Sequence, residues 1–177
     1  MMEDLSLHVL DIAENAIAAG ATRVLVAVNE SAERDVLTLR VSDDGRGMSR
    51  EERARAFDPF FTTGRKRTGL GLPLLAQTAE ACGGRIVLES AAGRGTRVVA
   101  RFRLSHVDRP PMTKMAETMM TLYFGHPGVD IRYRHTHNGL SFSCWRRGRP
   151  GARGVDPAEI AALREALRSG LERIGVS

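Results

Sequence analysis

Four short segments of this 177-residue chain hold residues able to act on a common ligand. Asp11 and Asn15 stand one helical turn apart in an apolar stretch, and Asp43-Asp44-Gly45-Arg46-Gly47 follows. Phe57-Asp58-Pro59-Phe60-Phe61 comes next, and Thr68-Gly69-Leu70-Gly71-Leu72 closes the set. Asn15 can offer a carbonyl oxygen to Mg²⁺, which prefers hard oxygen ligands alongside phosphates. Asp43 can accept a hydrogen bond from an adenine amino group, and Gly45 and Gly47 let the backbone approach the ring. Gly69 and Gly71, opening a helix, present backbone N–H groups to phosphate oxygens. A pair of loop glycines alone reads as a turn, and Asn15 or Asp43 alone as a surface amide or a turn carboxylate. The four segments in this order describe a nucleotide pocket.

The elements that must position these groups follow from periodicity. Leu7 to Ala19 reads as a helix, with Leu7, Leu10, Ala13 and Ile17 as its apolar stripe and Gly20 as its end. On it Asp11 and Asn15 share a face. Strands are predicted over Arg23–Asn29 and Val36–Ser42, the second delivering Asp43 to its C-terminal edge. Ser49 and Glu52 form a capping-box pattern for a short helix over 49–56. A helix over 70–82 ends at Gly83-Gly84, and strands near Arg85–Glu89 and Thr96–Leu104 flank Gly93-Arg94-Gly95. The last alternates Val98, Ala100, Phe102 and Leu104 with Arg97, Arg101 and Arg103, the pattern of a sheet with one wet face.

Pro110-Pro111 marks a boundary. Beyond it, Met115, Met119 and Leu122 have helical spacing and read as core. Asn138-Gly139 predicts a hairpin pairing His135 with Phe142, Tyr133 with Cys144 and Arg132 with Trp145. His135 and His137 then share a face with apolar partners, a core reading in preference to a metal site. Asp156-Pro157-Ala158-Glu159 opens a final helix with Ile160, Leu163, Leu167, Leu171 and Ile174 on one stripe. Two units are expected: residues 1–107 as the ligand domain and 108–177 as a helix–hairpin–helix appendage.

Composition narrows the class. No apolar run approaches the roughly 18 residues of a membrane helix and no signal peptide pattern opens the chain, so a soluble, cytoplasmic protein without membrane partners is expected. Cys82 and Cys144 read as small buried side chains. Residues 1–105 balance at +1 while residues 106–177 carry +4, which places the basic excess in the tail. Arg146-Arg147-Gly148-Arg149 reads as a solvated loop.

The four segments together resemble the Bergerat-fold ATPases, the family of histidine kinases, anti-sigma-factor serine kinases, DNA gyrase, mismatch-repair ATPases and heat-shock chaperone ATPases. The resemblance spans about residues 5–105. Leu10–Asn15 is similar to the N box, Asp43–Gly47 to the adenine box, Phe57–Thr63 to the start of the ATP lid and Gly69–Leu72 to the phosphate-side glycine box. It implies a two-layer α/β sandwich with a mixed, mostly antiparallel sheet, and ATP and Mg²⁺ as ligands. It also implies that Asn15 holds the metal, Asp43 the adenine amino group and Thr96 a water-linked contact. Met48, Phe57, Lys66, Arg67, Thr68, Gly69, Leu70, Gly71 and Leu72 would complete the nucleotide contacts beside Gly45 and Gly47.

One position departs from the family pattern. Where the ATP-hydrolysing branches and the anti-sigma kinases commonly carry glutamate as base, this chain has Asp11. One methylene less withdraws the carboxylate by about an ångström, a displacement that can cost about a hundredfold. Glu14 is the neighbouring carboxylate that could compensate. The lid, Phe57 to Thr68 with Arg65, Lys66 and Arg67, is short and basic like those of histidine kinases. The 14 residues before Asn15 are expected to leave no room for an acceptor-bearing helix, and His8, on the same helix as Asp11, is poorly placed to reach its own γ-phosphate. The expected function is therefore an Mg·ATP-binding, kinase-like protein acting on a separate partner protein. An ATP-gated binding module or slow hydrolase is the alternative. A nucleic-acid-associated ATPase, raised by the basic tail and by the resemblance of Ala18–Thr22 to the mismatch-repair N box, is disfavoured by the short lid. The tail, with Ser105–Pro111, also resembles that of stand-alone bacterial members of the family.

Overall fold

The computed structural model describes residues 4–59 and 70–176. The elements run α1 (Leu5–Ala18), β1 (Arg23–Ser31), β2 (Val36–Asp43), α2 (Arg50–Ala54), α3 (Gly71–Ala81), β3 (Arg85–Ser90) and β4 (Thr96–Arg103). They continue with α4 (Met115–Gly125), β5 (Asp130–His137), β6 (Leu140–Arg146) and α5 (Pro157–Arg173).

α1 begins two residues earlier than its periodicity predicts, because Asp4 caps it. The Asp4 Oδ1 accepts the Ser6 N–H at 2.8 Å, while Oδ2 accepts the Thr113 N–H and hydroxyl at 2.9 and 2.8 Å. One carboxylate thus starts the helix and pins the later segment to it. The buried side of α1 is Leu5, Val9, Ile12, Ala13 and Ala16, whereas Leu7 is exposed and Leu10 and Ile17 are only partly covered. The predicted stripe is displaced around the helix. α1 packs against β1, β2, α3 and α4, and Leu7, Leu10 and Ile17 extend its apolar surface beyond the buried side, which is why the two stripes differ.

The strands form one six-stranded sheet in the order β3-β4-β2-β1-β5-β6, antiparallel except for the parallel pair β1–β5. Alternation sends Val24, Val26 and Val28 of β1, Leu37, Leu39 and Val41 of β2, and Val98, Ala100 and Phe102 of β4 to one face. On that face α3 covers β3 and β4, α1 covers β1 and β2, α4 meets β5 and α5 meets β6. The result is a two-layer α/β sandwich whose opposite sheet face carries no helix among the described residues.

The hairpin register is as its turn predicts: His135 faces Phe142, Tyr133 faces Cys144 and Arg132 faces Trp145. Asn138 and Gly139 both have positive φ, which matches the twist of the flanking strands. The hairpin does not stand apart. β5 runs beside β1 from Arg23↔Asp130 to Glu30↔His137, so the sheet continues across Pro110-Pro111. His135 is buried, and its ring nitrogens meet the Tyr133 hydroxyl at 2.7 Å and Glu30 Oε1 at 2.7 Å. Met115, Met119 and Leu122 are core, as are Leu167 and Leu171 of α5 and Ile174 at its C-cap. Among the described residues no helix is long and apolar enough to cross a membrane.

Candidate nucleotide site

The site lies where α1, the C-terminal end of β2 and the start of α3 meet. Asp11 is half-buried on α1 and Asn15, one turn on, is exposed. Gly71, the first residue of α3, faces both. A Cβ at Gly71 would overlap the Asp11 carboxylate oxygen, lie 3.0 Å from Asp11 Cγ and sit 3.7 Å from Asn15 Nδ2. A side chain at this position would therefore displace the Asp11 carboxylate. The residue that caps α3, Leu70, supplies no side-chain hydrogen bond to the helix. The start of α3 and the carboxylate–amide pair of α1 are thus brought to one spot.

The second half of the site is the loop after β2. Asp43 is on the helix-facing side of β2, with Leu37, Leu39 and Val41, and opposite Thr96 in register. Its Oδ1 accepts the Gly45 N–H at 2.8 Å. Burial pushes the Asp43 carboxyl above its ordinary value against the pull of the Gly45 and Thr96 backbone N–H groups, and the neighbouring Asp44 charge adds to the rise. A Cβ at Gly45 would come within 2.9 Å of Asp43 Oδ1 and 3.1 Å of the Ala19 carbonyl. Gly47 has φ +66°, and a Cβ there would run into the Ala91 carbonyl. These two glycines let the loop thread between the end of α1 and the β3–β4 turn, where the Arg46 N–H bonds the Ala19 carbonyl at 3.0 Å.

Asp44 anchors the loop from outside. Its carboxylate accepts the Thr22 N–H and hydroxyl and the Arg23 N–H at 2.8 Å each, and the Arg23 guanidinium at 2.9 Å. Burial acts to raise its pKa, but the Arg23 and Thr22 donors prevail and draw it down to about 2. Of the two adjacent aspartates one is held as a fixed anion and the other is kept half-buried.

A residue that motif reasoning misses, Ser90, joins the loop to β4. Its Oγ accepts the Met48 N–H at 2.9 Å and donates to the Gly95 carbonyl at 3.0 Å, so the Thr96 hydroxyl at 2.9 Å is the donor in that pair. The only available signal was that Ser90 and Thr96 end two antiparallel strands and face each other.

Other candidates separate. Glu14 Oε1 meets His126 Nε2 at 2.8 Å, at the C-cap of α4. Leu72 is packed against the core, Met48 is half-buried, and Phe57 and Leu70 are exposed at the two ends of the segment between α2 and α3. Arg65, Lys66, Arg67, Thr68 and Gly69 lie outside the described residues. His8 is fully buried, neither ring nitrogen has a hydrogen bond among the described residues, and burial pushes its pKa down.

A two-layer α/β sandwich with a carboxylate–amide helix, an Asp-x-Gly-x-Gly loop and a glycine helix start defines a class of nucleotide-binding ATPase domains. The sequence profile described as the histidine kinase-, DNA gyrase B- and HSP90-like ATPase matches residues 3–106, and the chain belongs to this family. It is 44% identical over 109 residues to the sensor protein kinase FleS of Pseudomonas aeruginosa, covering 62% of this chain and 27% of that one. It is 33% identical over 93 residues to the sensor histidine kinase ZraS of Escherichia coli O157:H7, covering 52% of this chain and 20% of that one. The chain thus spans about a quarter or less of the length of these relatives. Among solved structures, the N-terminal domain of a DNA repair protein superposes with a TM-score of 0.60 at 13% identity, over 83% of this chain and 54% of the other, a likeness of fold. Residues 3–106 are a histidine kinase-like ATPase domain, and ATP is its ligand class.

Proposed function

We propose that this protein binds Mg·ATP and passes the γ-phosphate to a separate partner protein in a signalling or regulatory role. The observation that carries the reading is the close approach of Gly71 to Asp11 and Asn15, where an added Cβ would overlap the Asp11 carboxylate and lie 3.7 Å from Asn15 Nδ2. Asp43 accepts the adenine amino group, and Gly45 and Gly47 keep the loop close enough for it to do so. Asn15 is the protein's ligand to Mg²⁺. Among the described residues no three His, Cys, Asp or Glu side chains form a metal cage, which suits an ion held by one amide and by phosphate oxygens. When bound, Mg²⁺ supplies neutralisation of phosphate charge during in-line transfer. Asp11 takes the proton of the incoming acceptor hydroxyl or imidazole, and Arg65, Lys66 and Arg67 of the lid counter the charge on the phosphates.

A second reading, a nucleotide-gated binding module or slow hydrolase, has support of its own. α1 is tied to the C-terminal segment at both ends, through Asp4–Thr113 and Glu14–His126. Occupancy of the site would therefore be felt beyond it. Following the γ-phosphate of labelled Mg·ATP in extract of the host, with Asn15→Ala as control, separates the two. Label on a discrete protein supports the kinase. Label released as free phosphate, or retained on ATP, replaces it with the second reading.

A further inference from the structure

The sheet face opposite the helices carries many cations among apolar residues. Its outward positions hold Arg85 on β3, Arg97, Arg101 and Arg103 on β4, Arg40 on β2, and Arg132 and Arg134 on β5, with Val87, Val99, Leu25, Ala27 and Val36 between them and Asp130 beside Arg23. Glu89, paired with Arg97 at 3.3 Å, stands among them, and Arg103 is held by Asp35 at 2.9 Å. Arg40, Arg85, Arg101 and Arg134 make no ion pair or side-chain hydrogen bond among the described residues, and the Arg40 Nε is a buried donor without a partner. Arg85 and Arg101 are directly opposite in register. Like charges placed so destabilise an unliganded sheet. At the β6 edge Trp145 is 45% exposed, with the Arg132 and Arg147 guanidinium groups 4.6 and 5.0 Å from its ring centre.

We infer that this face binds single-stranded nucleic acid, with the four unpaired guanidinium groups on phosphates and the Trp145–Arg132 stack as a platform for a base. Charge complementarity selects a polyanion, and two copies of this face would repel each other. The arrangement of the cations selects the kind of polyanion. An acidic peptide joins a sheet through main-chain bonds at an edge strand, whereas Arg40, Arg101 and Arg134 stand on the interior strands β2, β4 and β5. From β3 to β5 they extend across four strand spacings, about 19 Å, a path for several consecutive phosphates. Bases stack on aromatic rings and on guanidinium planes, and the β6 edge offers both. Between the cations Thr38, Ser42 and Asn29 add polar groups to the same face. These arginines come from four strands and not from the Arg146–Arg149 run, so no stretch of sequence displays them together.

The test is fluorescence anisotropy of the full chain with a labelled thymidine oligonucleotide of about 12 nucleotides. Competitors are the corresponding duplex and poly-glutamate of equal charge. Binding is expected to weaken with salt at a log–log slope of about −3, from about 0.7 per phosphate for four contacts. Arg40→Gln with Arg101→Gln should flatten that slope by about 1.4, and Trp145→Ala should weaken binding by about tenfold or more. ATP affinity and the circular dichroism spectrum of each variant report that the fold is kept. Absence of binding at about 50 mM salt, an unchanged slope in the double variant, or stronger competition by duplex or by poly-glutamate than by the unlabelled strand each overturns the inference. The poly-glutamate result would point to an acidic protein instead.

Discussion

A methyl group at Gly71 would stand where the Asp11 carboxylate now lies, so Gly71→Ala probes the junction of α1 and α3 directly. The oxygen would overlap outright and Asp11 Cγ, at 3.0 Å, would be inside ordinary contact. Overpacking of this kind costs about 1–3 kcal/mol, offset by up to about 1 kcal/mol for replacing glycine in a helix. The net loss in the native background is therefore between near zero and about 3 kcal/mol, a fall of up to roughly 6–12 °C in Tm. In an Asp11→Ala background the obstruction is gone and the helix gain alone remains, so the sign of the substitution reverses. Urea unfolding of the four proteins in the cycle measures this, with an expected coupling of about 1–3 kcal/mol. Titration calorimetry with Mg·ATP should register the same displacement at the site, and phosphate release should fall about a hundredfold for a shift of about an ångström. If Gly71→Ala and Asp11→Ala add within about 0.5 kcal/mol, the two residues do not share the space described and the site reading loses its main support.

Three further substitutions divide the remaining roles. Asp43→Asn should weaken ATP far more than GTP. It should also remove an acid-side loss of ATP affinity that the wild type shows as pH falls through the raised Asp43 value. Because that value is raised by folding, Asp43 favours the folded state at low pH and this contribution disappears as pH rises through it, so the variant gains on the wild type at high pH in thermal scans. Asp44→Ala removes four donors' acceptor and should cost about 2–3 kcal/mol. The difference from wild type should shrink between the ordinary carboxylate range and about pH 2, where Asp44 is protonated in the fold, as acid titration of Tm would record. Glu14→Gln breaks a partly exposed pair and should cost under about 1 kcal/mol while leaving phosphate transfer unchanged. A tenfold loss of turnover would make Glu14, and not Asp11, the base.

What could be read from the chain was local or motif-borne. The capping box predicted at Ser49 is present with both of its bonds. Asp156 and Pro157 open α5 as their types predict, and Asn138-Gly139 specified the pairing of every residue in its hairpin. That Asp11 and Asn15 share one face of a helix follows from their spacing alone, whereas the approach of Gly71 to them does not. The rest depends on contacts between residues far apart in sequence. Nothing near Asp130 signals that β5 will lie parallel to β1, because such a pairing has no connecting turn to betray it. Glu14 cannot announce His126, and an alternating strand shows that it has a wet face without showing what its neighbours place there. The stripe of α1 is displaced for a related reason: Leu7, Leu10 and Ile17 carry its apolar surface past the face that packs, and only the packing partners select between them.

The pairing of β1 with β5 also sets a timetable. β1 bonds β2 on one side soon after both are made, but its other side waits for a strand that lies about a hundred residues later. At about 5–20 residues per second that interval is roughly 5–20 s of synthesis. Throughout it the Val24–Ala27 stretch presents an unprotected apolar edge, the template on which stray strands add. The hairpin is in this sense the molecule's own guard against aggregation. A fragment ending near Pro110 keeps every residue of the site and forfeits that protection for good.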